Sequence, residues 1–193
     1  MKKFAPVLVV IGVLTLGFLY FMNVKNKALL FSQATEKEWG NVNTAYQRRL
    51  DLIDNLVNTV KGAADFEKST LTAVVEARAK ATSVTIDPKN ITPAQLDQFN
   101  QAQSGITSSL SKLLFSVEAY PQLRATENFK QLQDELASTE NQILTARTRF
   151  NESVLAYNGY VLAMPQNIFL GSYTEKAYFK AVAGAENAPK VKF

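Results

Sequence analysis

Residues Ala146–Pro165 read ARTRFNESVLAYNGYVLAMP, and two patterns overlap in them. Phe150, Tyr157 and Met164 recur at intervals of seven, the repeat that keeps one helix face against a partner. Upstream, Phe129, Leu132, Leu136 and Ile143 continue the stripe, and Val154 and Val161 fill it in. The periodicity predicts a long amphipathic helix running to Met164 and stopped by Pro165. The second pattern is polar. Glu140, Arg147, Asn151 and Asn158 fall within about 40° of one another at 100° per residue, immediately beside the apolar stripe.

The same periodicity extends through most of the chain. Trp39, Val42, Tyr46, Ile53, Leu56 and Val60 form a first stripe, after which Gly62 ends or dents the helix. Leu71, Val74 and Ala81 resume it. Asp87-Pro88 marks a loop, and the following TPAQ reads as a helix start. Thr92 is placed to cap, Pro93 takes the first helical position, and Gln95 completes a capping box. Leu96, Phe99, Ile106, Leu110, Leu113, Val117 and Tyr120 form the third stripe, with Gln103 filling one slot. Tyr120-Pro121 breaks the chain before the last helix, because a residue preceding proline avoids helical geometry. No strand alternation of useful length precedes the tail. Stripes joined by short connections predict an all-α fold, an antiparallel helix bundle over residues 25–165.

Ahead of the bundle, FAPVLVVIGVLTLGFLYFMNV (Phe4–Val24) carries no charge. Twenty-one residues at 1.5 Å each span about 30 Å, the thickness of a bilayer's hydrocarbon core. A cleaved signal peptide has a shorter apolar run and small residues at its end; here the run ends in the bulky FLYFMN. The reading is therefore an uncleaved transmembrane anchor over residues 1–24, in contact with the lipid bilayer through 4–24. Such a chain is a single-pass protein of the cell (inner) membrane. Lys2 and Lys3 before the span nearly balance Lys25, Lys27 and Lys37 after it, so the positive-inside rule only leans towards an extracytoplasmic bundle. Beyond Pro165 the chain is aromatic (Phe169, Tyr173, Tyr178, Phe179) and reads as an arm over 166–193 packed back on the bundle.

The chain has 193 residues, a net charge of +4, and neither histidine nor cysteine. Disulfides, thiol and histidine catalysis, and zinc sites of the Cys/His type are thereby excluded. The basic residues are scattered, unlike those of a nucleic-acid binder. No phosphate-cradling loop, nucleophile elbow or zincin motif is present, and no cofactor or metal site is called. Heptad steps along the first seam place Arg49 in it, and continued further they place Glu67 and Arg78 in seam slots. Three readings of these polar positions stand side by side. Long side chains reach past the seam edge to water; buried Arg–Glu or Asn contacts fix helix pairing; or Glu67 and Glu140 form a carboxylate site for a metal or acid–base chemistry. Under the pairing reading, Arg147 and Glu140 are buried against other helices, and Asn151 and Asn158 are hydrogen-bonded.

RRLDLIDNLVNTVKGAADFE (Arg48–Glu67), VVEARAKA (Val74–Ala81), AYPQLRATENFKQLQDELASTE (Ala119–Glu140), the Ala146–Pro165 stretch and the final APKVKF together resemble the LemA family of bacterial membrane proteins. The resemblance covers nearly the whole chain in co-linear order. It implies one N-terminal transmembrane helix followed by an antiparallel up-and-down four-helix bundle, with no enzymatic activity or ligand established for the family as a whole. The matching positions are Arg49, Leu52, Asn55 and Leu56; Glu67 and Arg78; Pro121 and Leu123; and Glu140, Arg147, Asn151, Tyr157, Asn158 and Pro165. Asp54 departs from the pattern, which often has proline there. The expected function is a non-catalytic scaffold or interaction module with a membrane protein partner. A homo-oligomer is left open, and the alternative is a carboxylate-dependent enzyme using Glu67 and Glu140.

Overall fold

A computed structural model describes residues 5–62 and 66–180. Among these the chain is all-helical. Its four long helices are α1 (Ala5–Lys61), α2 (Lys68–Thr82), α3 (Pro93–Val117) and α5 (Glu127–Val161); α4 (Pro121–Arg124) and α6 (Gln166–Phe169) are single turns. The terminal ending Ala188–Phe193 and the rest of the arm beyond Lys180 lie outside the described residues.

The longest element, α1, has 57 residues and a length of about 86 Å. It passes residue 24 without a break. Its first part is bare: Val7, Leu14 and Phe18 are more than half exposed, and so is nearly every residue between them. An apolar helix of that length with almost nothing covering it matches a bilayer span, whereas a core helix would be buried. Burial begins at Val24 and Ala28, which pack with Tyr157 and Val161 of α5 and with Leu170.

From there α1 and α5 run antiparallel along their common length. Trp39, Val42 and Tyr46 meet Phe150, Val154 and Ile143; further on Leu56 and Val60 share a cluster with Leu136 and Phe129. Helix α2 packs on α3, and Leu71, Val74 and Ala81 join the same lower cluster as Ile106, Leu110, Leu113 and Val117. Gln103 is buried among these apolar neighbours. The start of α3 has the expected capping box, with the Thr92 Oγ1 accepting from the Gln95 N–H and the Gln95 Oε1 accepting from the Thr92 N–H.

Two residues lie elsewhere than the periodicity predicts. Helix α5 stops at Val161, and Met164 is 71% exposed instead of lying in the seam. Met164 directly precedes Pro165, where helical geometry is disfavoured, so the helix closes before it. Between α1 and α2 the chain breaks fully, which resets the helical phase. Glu67 therefore becomes the exposed residue before α2, with its carboxylate accepting from the Ser69 and Thr70 hydroxyls, and does not occupy a seam slot.

Candidate functional site: an arm clamped on α5

Asn151 and Asn158 are the hub of the site. The Asn158 amide donates from Nδ2 to the Lys176 carbonyl (2.8 Å) and accepts on Oδ1 from the Lys176 N–H (2.9 Å). Asn151 treats Phe179 identically, at 2.9 Å for both bonds. A carboxamide carries one donor group and one acceptor side by side, so it matches the N–H and C=O of a single residue as a neighbouring strand would. The spacing explains why both fit. Seven residues along a helix rise about 10.5 Å, and three residues of extended chain cover about 10 Å. The arm therefore runs antiparallel to α5 in register with it. Its other edge is held by the loop before α3, where the Ala177 N–H donates to the Ile91 carbonyl. Tyr157 adds a hydrogen bond from its hydroxyl to the Thr174 carbonyl.

Two side chains of the arm go inward. Phe179 is 5% exposed and fills a box of rings: it stacks on Trp39 at 6.0 Å and meets Phe150 edge-on at 5.5 Å, with Phe99 behind. Arg147 covers it, its guanidinium 4.5 Å from the ring centre and donating to the Lys180 carbonyl. Lys176 is 2% exposed. Its ammonium donates to the Ser32 Oγ and the Pro88 carbonyl and lies 4.8 Å from the centre of the Tyr157 ring. All three contacts are with neutral groups. Burial pushes the Lys176 pKa down, while Glu36 and Asp87 at longer range pull it part of the way back.

Beside the arm lies a cleft of about 750 Å³ lined by α1, α3 and α5. Arg49 forms its floor, 3% exposed, donating to the Thr107 Oγ1 at 2.7 Å and pairing through Nε with Glu140 at 3.0 Å. That Nε–Oε1 approach is off line for a hydrogen bond, so the pairing is Coulombic. The Gln103 Oε1 is buried without a partner among the described residues. Tyr46 stands between Arg49 and Arg147; burial pushes its hydroxyl pKa up, and the two arginines offset part of that. Asp97 and Lys180 close the rim.

The LemA family profile matches residues 38–193, which is most of the chain and includes both clamping asparagines and the arm they hold. The chain belongs to the LemA family. Protein LemA of Metamycoplasma hominis is 25% identical over 151 residues, covering 77% of this chain and 65% of its own length. Magnetosome proteins MamQ 2 and MamQ 1 of Paramagnetospirillum magneticum are each 24% identical over 176 residues, covering 80% of this chain and 64% of their own. The chain thus spans a little under two thirds of the length of these relatives. Together with the bare apolar first third of α1, the family assignment makes this a membrane-associated helical protein.

The LemA-type motif positions separate into three groups. Arg147, Asn151, Tyr157 and Asn158 all hold the arm. Arg49 and Glu140 pair across α1 and α5, but the Glu140 side chain, expected to be buried, is 51% exposed because it lies at the open edge of the cleft. Arg147 is half-buried and bonds to the arm, where a partner helix was expected. Asn55 and Glu67 face solvent, and Arg78, partly exposed, joins α2 to α1 through Asp54 at 2.6 Å. The structure does not bring Glu67 and Glu140 together. Arg49, which holds Glu140, lies twelve residues, or about 18 Å, before the end of α1, beyond which Glu67 follows. Among the described residues no cluster of three or more Asp or Glu side chains could hold a metal ion. What sequence reasoning missed is Lys176 and the loop residues Pro88 and Ile91. The signal available for the rest was the paired asparagines at a heptad interval, each an amide suited to a peptide backbone.

Proposed function

We propose that this LemA-family chain is a non-catalytic interaction module, tethered by a single span to the cell membrane with its bundle on the extracytoplasmic side. The observation that carries the reading is the use to which the polar motif is put. Four of its members hold the chain's own arm, three (Arg49, Glu140 and Arg78) join neighbouring helices, and Glu67 stands apart from Glu140, facing solvent. A partner binds at the cleft above Arg49, where two arginines, Lys180, Asp97 and Glu140 offer charges of both signs next to the clamped arm.

Photo-crosslinking in living cells tests it. A photoreactive residue at Ser104 or Ser108, exposed on the α3 rim of the cleft, should give discrete protein adducts; one at Thr72, exposed on α2 away from the cleft, should not. Absence of adducts at both rim positions, or equal adducts at Thr72, removes the proposed binding face. The compartment is read separately with C-terminal fusions. An active alkaline phosphatase and a dark cytoplasm-only fluorescent protein are expected, and the reverse pair places the bundle in the cytoplasm.

A further inference from the structure

The corner after α5 is unlike the rest of the surface. From Ser153 to Thr174 there is no charged residue over 22 positions. Within it Leu162, Met164 and Ile168 are 52%, 71% and 67% exposed, and Phe169 is 36% exposed. A soluble protein scatters such residues singly; four within one short corner mark a surface made to be covered. The position of the corner shows by what. Phe169 of α6 packs edge-on against Tyr20 and Phe21 of α1, with ring centres 5.9 and 6.1 Å apart. Those two residues belong to the uncharged part of α1, just before its burial begins at Val24. Lys25, which closes that part, lies about 6 Å further along the helix than Phe21. The corner thus lies on the bilayer side of the first lysine. Lys25 and Lys27 sit at the boundary itself, their ammonium groups 5.2 Å from the Phe21 ring and 5.5 Å from the Tyr160 ring.

From this we propose that the α5–α6 corner is a second membrane contact, with Leu162, Met164, Ile168 and Phe169 immersed at the headgroup–acyl boundary beside the span. Lys25 and Lys27 meet lipid phosphates above it. The inference rests on the reading of α1 as a span. Its covering partner is lipid because the apolar surface is continuous with that span and the cations lie at the level where phosphates are found. The contact gives the bundle two points of attachment, which fix its tilt and its rotational setting against the membrane. Because the arm leaves this corner at Gly171, its clamped part starts at the bilayer surface.

The full chain has no cysteine, so single cysteines can be labelled with an environment-sensitive fluorophore after reconstitution into phosphatidylcholine/phosphatidylglycerol vesicles. Labels at Ile168→Cys and Met164→Cys should be quenched about twofold or more by lipids bearing a nitroxide near the headgroup, and shielded from aqueous iodide. A label at Leu144→Cys, equally exposed but on α5 about 27 Å before Leu162, should show the opposite. A label at Leu14→Cys in the middle of the span, about 15 Å from either boundary and read with lipids bearing the nitroxide deep in the acyl chain, separates the two readings. If Leu14 is lipid-quenched while the corner labels are open to iodide, the corner proposal is wrong and the span stands. If Leu14 is not quenched, both fall. Corner labels shielded from iodide but insensitive to lipid quencher would show a protein covering the corner, a second copy included, and would also overturn the proposal. Unchanged helical circular dichroism in each variant confirms that the fold persists.

Discussion

Asn151 and Asn158 each read the N–H and C=O of one residue, so the arm is held chiefly by its backbone, and the Tyr178 hydroxyl is a further acceptor for the Asn158 amide. Replacing Asn158 by Ala leaves the Lys176 N–H and carbonyl buried without partners, a loss of about 1–3 kcal/mol for such groups. Since the arm is extended chain held by these side chains and not by a helix of its own, it is expected to detach before the helices unfold. Tryptic cleavage after Lys176 should accelerate in Asn158→Ala and in Asn151→Ala, with the cooperative thermal transition of the bundle retained. Equal cleavage rates in wild type and variants would show that the clamp adds nothing. Lys176 gives the same docking step a pH dependence. Its folded pKa lies below its unfolded one, so over the window between them the released arm binds more protons than the docked arm. Docking is therefore expected to tighten as pH rises through the lowered pKa towards the ordinary lysine value, and to be weaker below that window. Trp39, stacked on Phe179, reports it by fluorescence, and Lys176→Met should flatten the pH profile. The asparagines were legible in the sequence as a polar stripe beside a seam. Their partner was not, because an extended arm has no periodicity that predicts where it lies.

Among the elements, α1 and α5 carry the core, and the Arg49–Glu140 pair sits where their seam is most polar. Arg49 is buried and Glu140 is half in water, so the two partners are not equivalent. Glu140→Gln leaves a buried guanidinium with the Thr107 hydroxyl and a neutral amide, and water can reach the site from the Glu140 side. The expected cost is about 1–2 kcal/mol, below the 3–5 typical when a fully buried pair is broken. In Arg49→Met the charge goes and the apolar stem is kept, so the loss should be smaller still, and the double variant should cost less than the two single losses summed. Urea unfolding of the four proteins measures this cycle, and additive losses would mean that the pair is not coupled. The elements themselves were readable. Buried Trp39, Ile53, Leu113 and Phe150 stand where their stripes put them, and the α3 cap has the chemistry of its sequence. Phase was lost wherever the chain breaks. Heptad counting carried through Gly62 assigned Glu67 to a seam, although a break between helices frees the next one to start at any rotation. At Met164 the apolar pattern outlasted the helix because hydrophobicity continues into a corner that turns.

At the scale of the molecule, the decisive feature is that no hinge separates span from bundle. Helix α1 continues from the bare segment into the core, so the span's rotation about its own axis is coupled to the bundle's. That coupling can be cut without touching the core. Two alanines inserted between Met22 and Asn23 keep the helix continuous, lengthen it by about 3 Å and rotate everything upstream by about 200°. Val24 and Ala28 stay packed on Tyr157 and Val161, so the thermal stability of the bundle should change little. Tyr20 and Phe21, however, turn to the far side of α1, away from Phe169. A Phe21→Cys/Phe169→Cys pair should cross-link on oxidation in the parent chain and fail to do so in the insertion variant, whereas four inserted alanines, a rotation of about 400°, should restore the facing partly at a rise of about 6 Å. If the pair cross-links equally with two alanines inserted, α1 does not transmit rotation past residue 22, and the bundle swings freely below its anchor. If cross-linking is lost with two and regained with four, the anchor sets which face of the bundle, and hence which side of the clamped arm, is turned along the membrane.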